Sequence, residues 1–326
     1  MRALFALALL SLLPVACAGP PPPANDARPA ATAEQPALPM GERRIAASDG
    51  TELYVKVAGQ GPVCIFVHGG PGQGSLSFEK MGGQALESFL TLVYLDQRGS
   101  GKSANAKDYH LDRVVQDIEE VRQALGVDKP CLIAHSFGGI LAVAYAQRHP
   151  QHVSRLVMAN TSLDFMGDAQ RRMQIHFISE LLKDDALDVG DDAAGDALAA
   201  AHEKARKALQ ASGNGYRFLS EDKAAVARMS EIDDSYPRTI DYGMAVITGP
   251  ATLPEYYRDY APSTATVRVP VLVISGRRDH AVGPAHFRTF RFPDQRVVEL
   301  DTGHLPYYEN TRAFAAAIRD FVAPAP

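Results

Sequence analysis

From residue 42 onward, short apolar runs alternate with longer segments whose apolar residues recur every three or four positions. Residues 63–67 (Val-Cys-Ile-Phe-Val) and 92–95 (Leu-Val-Tyr-Leu) are continuous apolar runs, as strands covered on both faces require. Residues 131–134 repeat that pattern, and 155–159, opened by Arg155, read as a further strand. Between them, Val114, Val115, Ile118, Val121, Ala124 and Leu125 share one helical face over residues 111–125, and Gly126 ends the segment. A second helix is predicted over residues 140–147, closed near Pro150. Upstream, residues 43–47 and 52–57 read as a hairpin turned by Asp49-Gly50.

The rhythm breaks over residues 162–264, which read as helical and carry acidic clusters at Asp184-Asp185 and Asp191-Asp192. It then resumes with a strand at 269–275, a helix opened by Pro284, a strand at 296–300 and a last helix at 311–322. Alternating strands and helices define an α/β fold, a mostly parallel central sheet with helices on both faces. The body is expected to comprise residues 41–161 and 265–326, with 162–264 as an inserted helical cap.

Residues 1–40 follow neither period. Arg2 precedes an apolar stretch, 3–13, that is too short to span a bilayer comfortably. Residues 1–18 therefore read as a secretory signal segment, and the chain as exported. Ala16-x-Ala18 suits ordinary cleavage, leaving a periplasmic or secreted protein. Cys17 resembles a lipoprotein cleavage site, which would give a membrane tether, although Pro14 stands where that pattern usually has Leu. Residues 19–40 are rich in Pro and Ala and read as a semi-rigid linker.

The chain has 326 residues, enough for a large buried core. Its net charge of −5 and its lack of a Lys/Arg block argue against a nucleic-acid partner. Cys64 and Cys131, both inside strand-like runs, read as two separate buried thiols rather than a disulfide.

The chemistry falls at strand ends. Ala134-His135-Ser136-Phe137-Gly138 lies between a strand and a helix and matches the nucleophile elbow G-x-S-x-G, with Ala134 in place of the first Gly. A serine hydroxyl needs a base, and the base needs a carboxylate to fix its tautomer. Asp279 and His304 follow in that order, each just past a predicted strand, and complete the candidate triad with Ser136. Asp164, past the strand ending near Ala159, is the rival acid. His68-Gly69-Gly70-Pro71-Gly72 follows another strand. Backbone N–H groups of Gly70 and Phe137 are the expected oxyanion donors, with His68 bracing the loop. Gly101-Lys102-Ser103 mimics a P-loop ending, but Asp96 occupies the place of the required Gly. Residues 96–103 are instead expected to support the oxyanion loop.

Together, HGGPG at 68–72, DQRGSGKS at 96–103, the Ser136 elbow, Asp279 and Gly303-His304 resemble the prolyl aminopeptidase (proline iminopeptidase) family of α/β-hydrolases. The resemblance implies an α/β-hydrolase fold and release of N-terminal residues such as proline from short peptides through an acyl-enzyme. It implies no metal and no organic cofactor. It also implies a cap carboxylate for the substrate's ammonium. Glu255, which follows Gly249-Pro250, is one candidate, and Glu231, Asp233 and Asp234 are others. The chain departs from the family at Ala134-His135 and Phe137, and has no Trp. Two alternatives stay open. One is a carboxylesterase, lipase-like or lactone hydrolase that takes a small ester; the other is a non-catalytic envelope binding protein.

Overall fold

The computed structural model describes residues 38–190 and 192–323. The expectations for the signal segment, for Cys17 and for most of the linker fall outside them.

Eight strands form one sheet: β1 (Gly41–Ala46), β2 (Glu52–Gly59), β3 (Val63–Val67), β4 (Thr91–Leu95), β5 (Cys131–His135), β6 (Leu156–Ala159), β7 (Val271–Gly276) and β8 (Gln295–Leu300). Their order is β1-β2-β4-β3-β5-β6-β7-β8. The β1–β2 hairpin joins the sheet antiparallel, and every pair from β4 to β8 is parallel. Strands β4 and β5 are buried along their whole length, as runs without polar alternation demand.

Nine helices accompany the sheet among the described residues: α1 (Leu76–Lys80), α2 (Leu111–Ala124), α3 (Gly138–Arg148), α4 (Asp168–Leu182), α5 (Gly195–Ala211), α6 (Lys223–Asp233), α7 (Asp241–Thr248), α8 (Pro306–Glu309) and α9 (Thr311–Val322). Helices α4 to α7 fall between β6 and β7. Helix α2 buries Leu111, Val114, Val115, Ile118 and Val121, the face its period marks out. Each such side chain contributes about 1.5–3 kcal/mol on removal from water. They share a core with Val55, Val93, Leu132 and Ile140. The other side of the sheet packs Phe66, Tyr94 and Ile133 against Tyr307, Phe314 and Ile318.

Two expectations are corrected. The helix opened by Pro284 is only a 3-10 turn, His286–Thr289. Pro293 restricts Phe292 to extended backbone, leaving no room to propagate a helix. Cys64 and Cys131 are joined as a disulfide, not held as separate thiols. Strands β3 and β5 are parallel neighbours with Cys64 opposite Cys131 and Cα atoms 4.4 Å apart, within disulfide reach. Chain order alone does not show that these two strands touch.

Candidate active site

Ser136 sits at the turn from β5 into α3 with φ of 53°, the left-handed region that costs an ordinary side chain energy. Tight packing maintains the turn. A Cβ at Gly138 would lie 2.3 Å from the Val67 carbonyl, so α3 can approach β3 only with glycine there. Ala134 lies inside β5, fully buried, where a methyl group is accommodated.

Asp279 follows β7 and is fully buried. Its Oδ1 accepts N–H bonds from Ala281 (2.8 Å) and Val282 (3.0 Å). Its Oδ2 lies 2.9 Å from His304 Nδ1 and accepts from Asn160 Nδ2 at 2.6 Å. Burial alone would raise its pKa; the His304 charge and hydrogen bond outweigh burial and bring it down to about 2. The carboxylate is thus ionised at neutral pH. It holds His304 with Nδ1 protonated, leaving Nε2 as the basic nitrogen. Ser136 and His304 line the same cavity of about 430 Å³, although Ser136 Oγ makes no hydrogen bond among the described residues. Free enzymes commonly show such contacts loose. The rival acid Asp164 instead lines a separate cavity with Met173, Val282 and His286.

Gly70 lines the Ser136 cavity as well. A Cβ at Gly69 would lie 2.7 Å from Ser136 Cβ, so the 68–72 loop runs directly against the serine. Neither Gly70 nor Phe137 donates its N–H to a backbone carbonyl in the loops and turns among the described residues. Both amides are therefore available to an oxyanion.

The loop is braced from below. His68 is buried; its Nε2 accepts from the Gln97 N–H (3.0 Å), and Nδ1–H donates to the Gly69 carbonyl (2.9 Å). Gln97 Nε2 donates to the His68 carbonyl at 2.9 Å. Asp96 Oδ1 accepts from both the Ser75 amide and hydroxyl at 2.7 Å, and Oδ2 from the Lys102 amide. Buried Arg98 forks onto Asp117 (2.6 and 2.7 Å), tying residues 96–103 to α2.

His135 lies 4.8 Å from His304 ring to ring and donates Nε2–H to the His304 carbonyl at 2.8 Å. Burial, aided by the neighbouring His304 charge, pushes its pKa down to about 3. His202, joined to Gln174 at 2.6 Å between α4 and α5, is pushed down to about 4 by burial. Such depressed imidazoles favour the folded state above about pH 6.5, the unfolded value, and that stability is lost as pH falls toward 3–4. Melting temperature should therefore fall between pH 7 and 4, and His202→Gln should flatten the slope. An unchanged slope in that variant would remove His202 as a contributor.

Of the four candidate acids, two border the cavity. Asp233, at the end of α6, is 5% exposed and lines it. Asp234 lines the rim, exposed and paired with Arg238 at 3.2 Å. The other two expectations are corrected. Glu255 lies in a different depression, bound to His110 Nδ1 (2.8 Å) and to the Leu111 N–H (3.2 Å). It caps the first turn of α2, where a free helix amide attracts a carboxylate. Glu231 is on the exposed face of α6, 3.6 Å from Arg228 one turn back. Asn160 is a site residue that sequence reasoning missed, for a lone Asn after a strand belongs to no motif.

A parallel sheet with a strained serine turn, a buried acid–imidazole pair and open loop amides defines the class of α/β hydrolases. A family profile for the alpha/beta hydrolase fold matches residues 62–311. The chain belongs to that family. Proline iminopeptidase of Neisseria gonorrhoeae is 38% identical over 112 residues, 33% of this chain and 36% of that relative. The matching stretch thus spans about a third of that relative's length. Proline iminopeptidase of Heyndrickxia coagulans is 26% identical over 283 residues, covering 81% of this chain and 91% of the relative. The enol-lactonase from Burkholderia xenovorans LB400 superposes with a TM-score of 0.62 at 22% identity, covering 86% and 99% of the two chains. That likeness shows the fold alone.

Proposed function

We propose that the protein is a serine aminopeptidase that releases N-terminal residues, proline among them, from short peptides. Ser136 attacks the scissile carbonyl, His304 takes its proton and returns it to the leaving amine, and Asp279 stabilises the imidazolium. The oxyanion meets the N–H groups of Gly70 and Phe137. Water then hydrolyses the acyl-enzyme. No cofactor takes part.

The observation that carries the peptidase reading is Asp233. Asp233 lines the Ser136 cavity, and its Oδ1 is buried with no hydrogen-bond partner among the described residues. Its Oδ2 meets Gln73 Nε2 only at 3.5 Å, and Arg238 stands 3.9 Å away. A buried carboxylate oxygen left unpaired is costly, and a substrate ammonium would satisfy it. Burial raises the Asp233 pKa, against the pull of the Ser77 hydroxyl first and of Arg238 after it, and a bound cation would favour the ionised form. Met229, Ile240, Met244 and Leu305 line the same cavity and suit an apolar side chain or ring.

Three substrates test this: proline naphthylamide, its N-acetylated form and p-nitrophenyl butyrate. The wild type should cleave the first and reject the second. Asp233→Asn should raise KM for proline naphthylamide about tenfold or more, the scale of one lost charge-assisted bond. Cleavage of the ester alone would replace this reading with the esterase or lactonase one.

We further propose export, supported by the apolar segment at 3–13 and the Pro/Ala-rich stretch behind it. The Cys64–Cys131 disulfide suits an oxidising compartment.

A further inference from the structure

We propose that Asn160 is a positioning residue that locks the Asp279 carboxylate to the His304 loop, an inference that rests on the hydrolase reading above. Asn160 follows β6 directly, is fully buried and holds φ at 46°. Few residues besides glycine tolerate that conformation, and Asn is one of them. Its Nδ2 donates to Asp279 Oδ2 at 2.6 Å and to the Gly303 carbonyl at 2.9 Å. Both partners are acceptors, so the amide orientation is fixed; the flipped form would turn its carbonyl onto two oxygens. The other end, Oδ1, is buried and unpartnered among the described residues. Asn160 thus makes its two bonds to the acid and the histidine loop while its own acceptor goes unmet.

The consequence is geometric. Asp279 comes from the loop after β7, and His304 from the loop after β8. Asn160, on the end of β6, bonds to the acid and to the residue next to the base. It supplies one of four donors around the carboxylate, on the same oxygen that meets His304 Nδ1. That donor helps hold Oδ2 directed at the imidazole, so Nδ1 keeps the proton and Nε2 stays the free ring nitrogen. Titratable groups around this network are Asp279 and His286 from the β7 loop, His304 from the β8 loop, His135 from β5 and Glu309 from α8, whose Oε2 accepts the Gly303 N–H at 2.7 Å.

The test compares Asn160→Ala and Asn160→Asp with wild type. The readouts are kcat and KM across pH 5–9 on whichever test substrate wild type cleaves, fluorophosphonate labelling rate, and melting temperature. Asn160→Ala should lower kcat about tenfold with KM unchanged, the effect of loosening a catalytic group. Asn160→Asp has the same shape but can donate only while protonated. Ionised beside Asp279, it would repel the acid it should hold. Its activity relative to wild type should be near one at about pH 5 and fall tenfold or more toward pH 9. If Asn160→Ala fails to fold, the isosteric variant carries the test. A role in filling space predicts that Asn160→Asp follows wild type at every pH and that Asn160→Ala loses only stability; either result overturns the proposal. Wild type that neither labels nor turns over would remove the hydrolase reading and this inference with it. Active wild type with variants indistinguishable from it would remove this inference alone.

Discussion

Replacing Ser136 with alanine should lower turnover by roughly 10⁴- to 10⁶-fold, with substrate affinity largely kept. Among the described residues that line the cavity, Ser136 is the hydroxyl on a strained turn beside the Gly70 and Phe137 amides. Ser136 has the turn (φ 53°) and the contact with the 68–72 loop. His304→Ala should cost about as much, and the double variant little more, because serine and base act as a unit. The residual rate would come from binding and the Gly70 and Phe137 amides. Steady-state kinetics on proline naphthylamide measure all three. Losses that multiplied instead of saturating would mean that Ser136 and His304 act in separate steps.

Asp279→Asn should cost about 10⁴-fold in kcat, the scale seen when a triad histidine is left in the wrong tautomer. The amide would keep the shape but lose the charge that holds Nδ1–H, and it would set an N–H₂ either against both Asn160 and His304 or, flipped, against the Ala281 and Val282 amides. Asp164→Asn should change turnover less than threefold, a difference too small to count as catalytic. Asp164 is half-buried in a separate cavity, with its pKa raised by burial and by Asp259. Near-normal turnover in Asp279→Asn with loss in Asp164→Asn would reverse the assignment of the acid.

The strands and the placement of Ser136, Asp279 and His304 just past strand ends were legible because continuous apolar runs mark buried parallel strands, and such sheets gather functional groups at their C-terminal ends. The residues 96–103 were legible as loop support because Asp96 ruled out a phosphate loop. Legibility ended where neighbours distant in the chain decide the outcome. Cys64 and Cys131 are 67 residues apart and bond because β3 lies beside β5. Glu255 looked like a substrate carboxylate by its place after Gly249-Pro250, yet it caps a helix 144 residues upstream. Asp233 and Glu231, two residues apart on α6, differ only in which side of the helix meets the cavity. Asn160 carries no local signal, since its importance lies wholly in what β7 and β8 bring to it.

The central claim is that Ser136 is the nucleophile of an acyl-transfer site. Intact-mass and peptide analysis after reaction with a fluorophosphonate measures this most directly. The account predicts a single adduct on the peptide holding Ser136, absent in Ser136→Ala. Wild-type protein that stays unmodified, or carries the adduct on another serine, would contradict it.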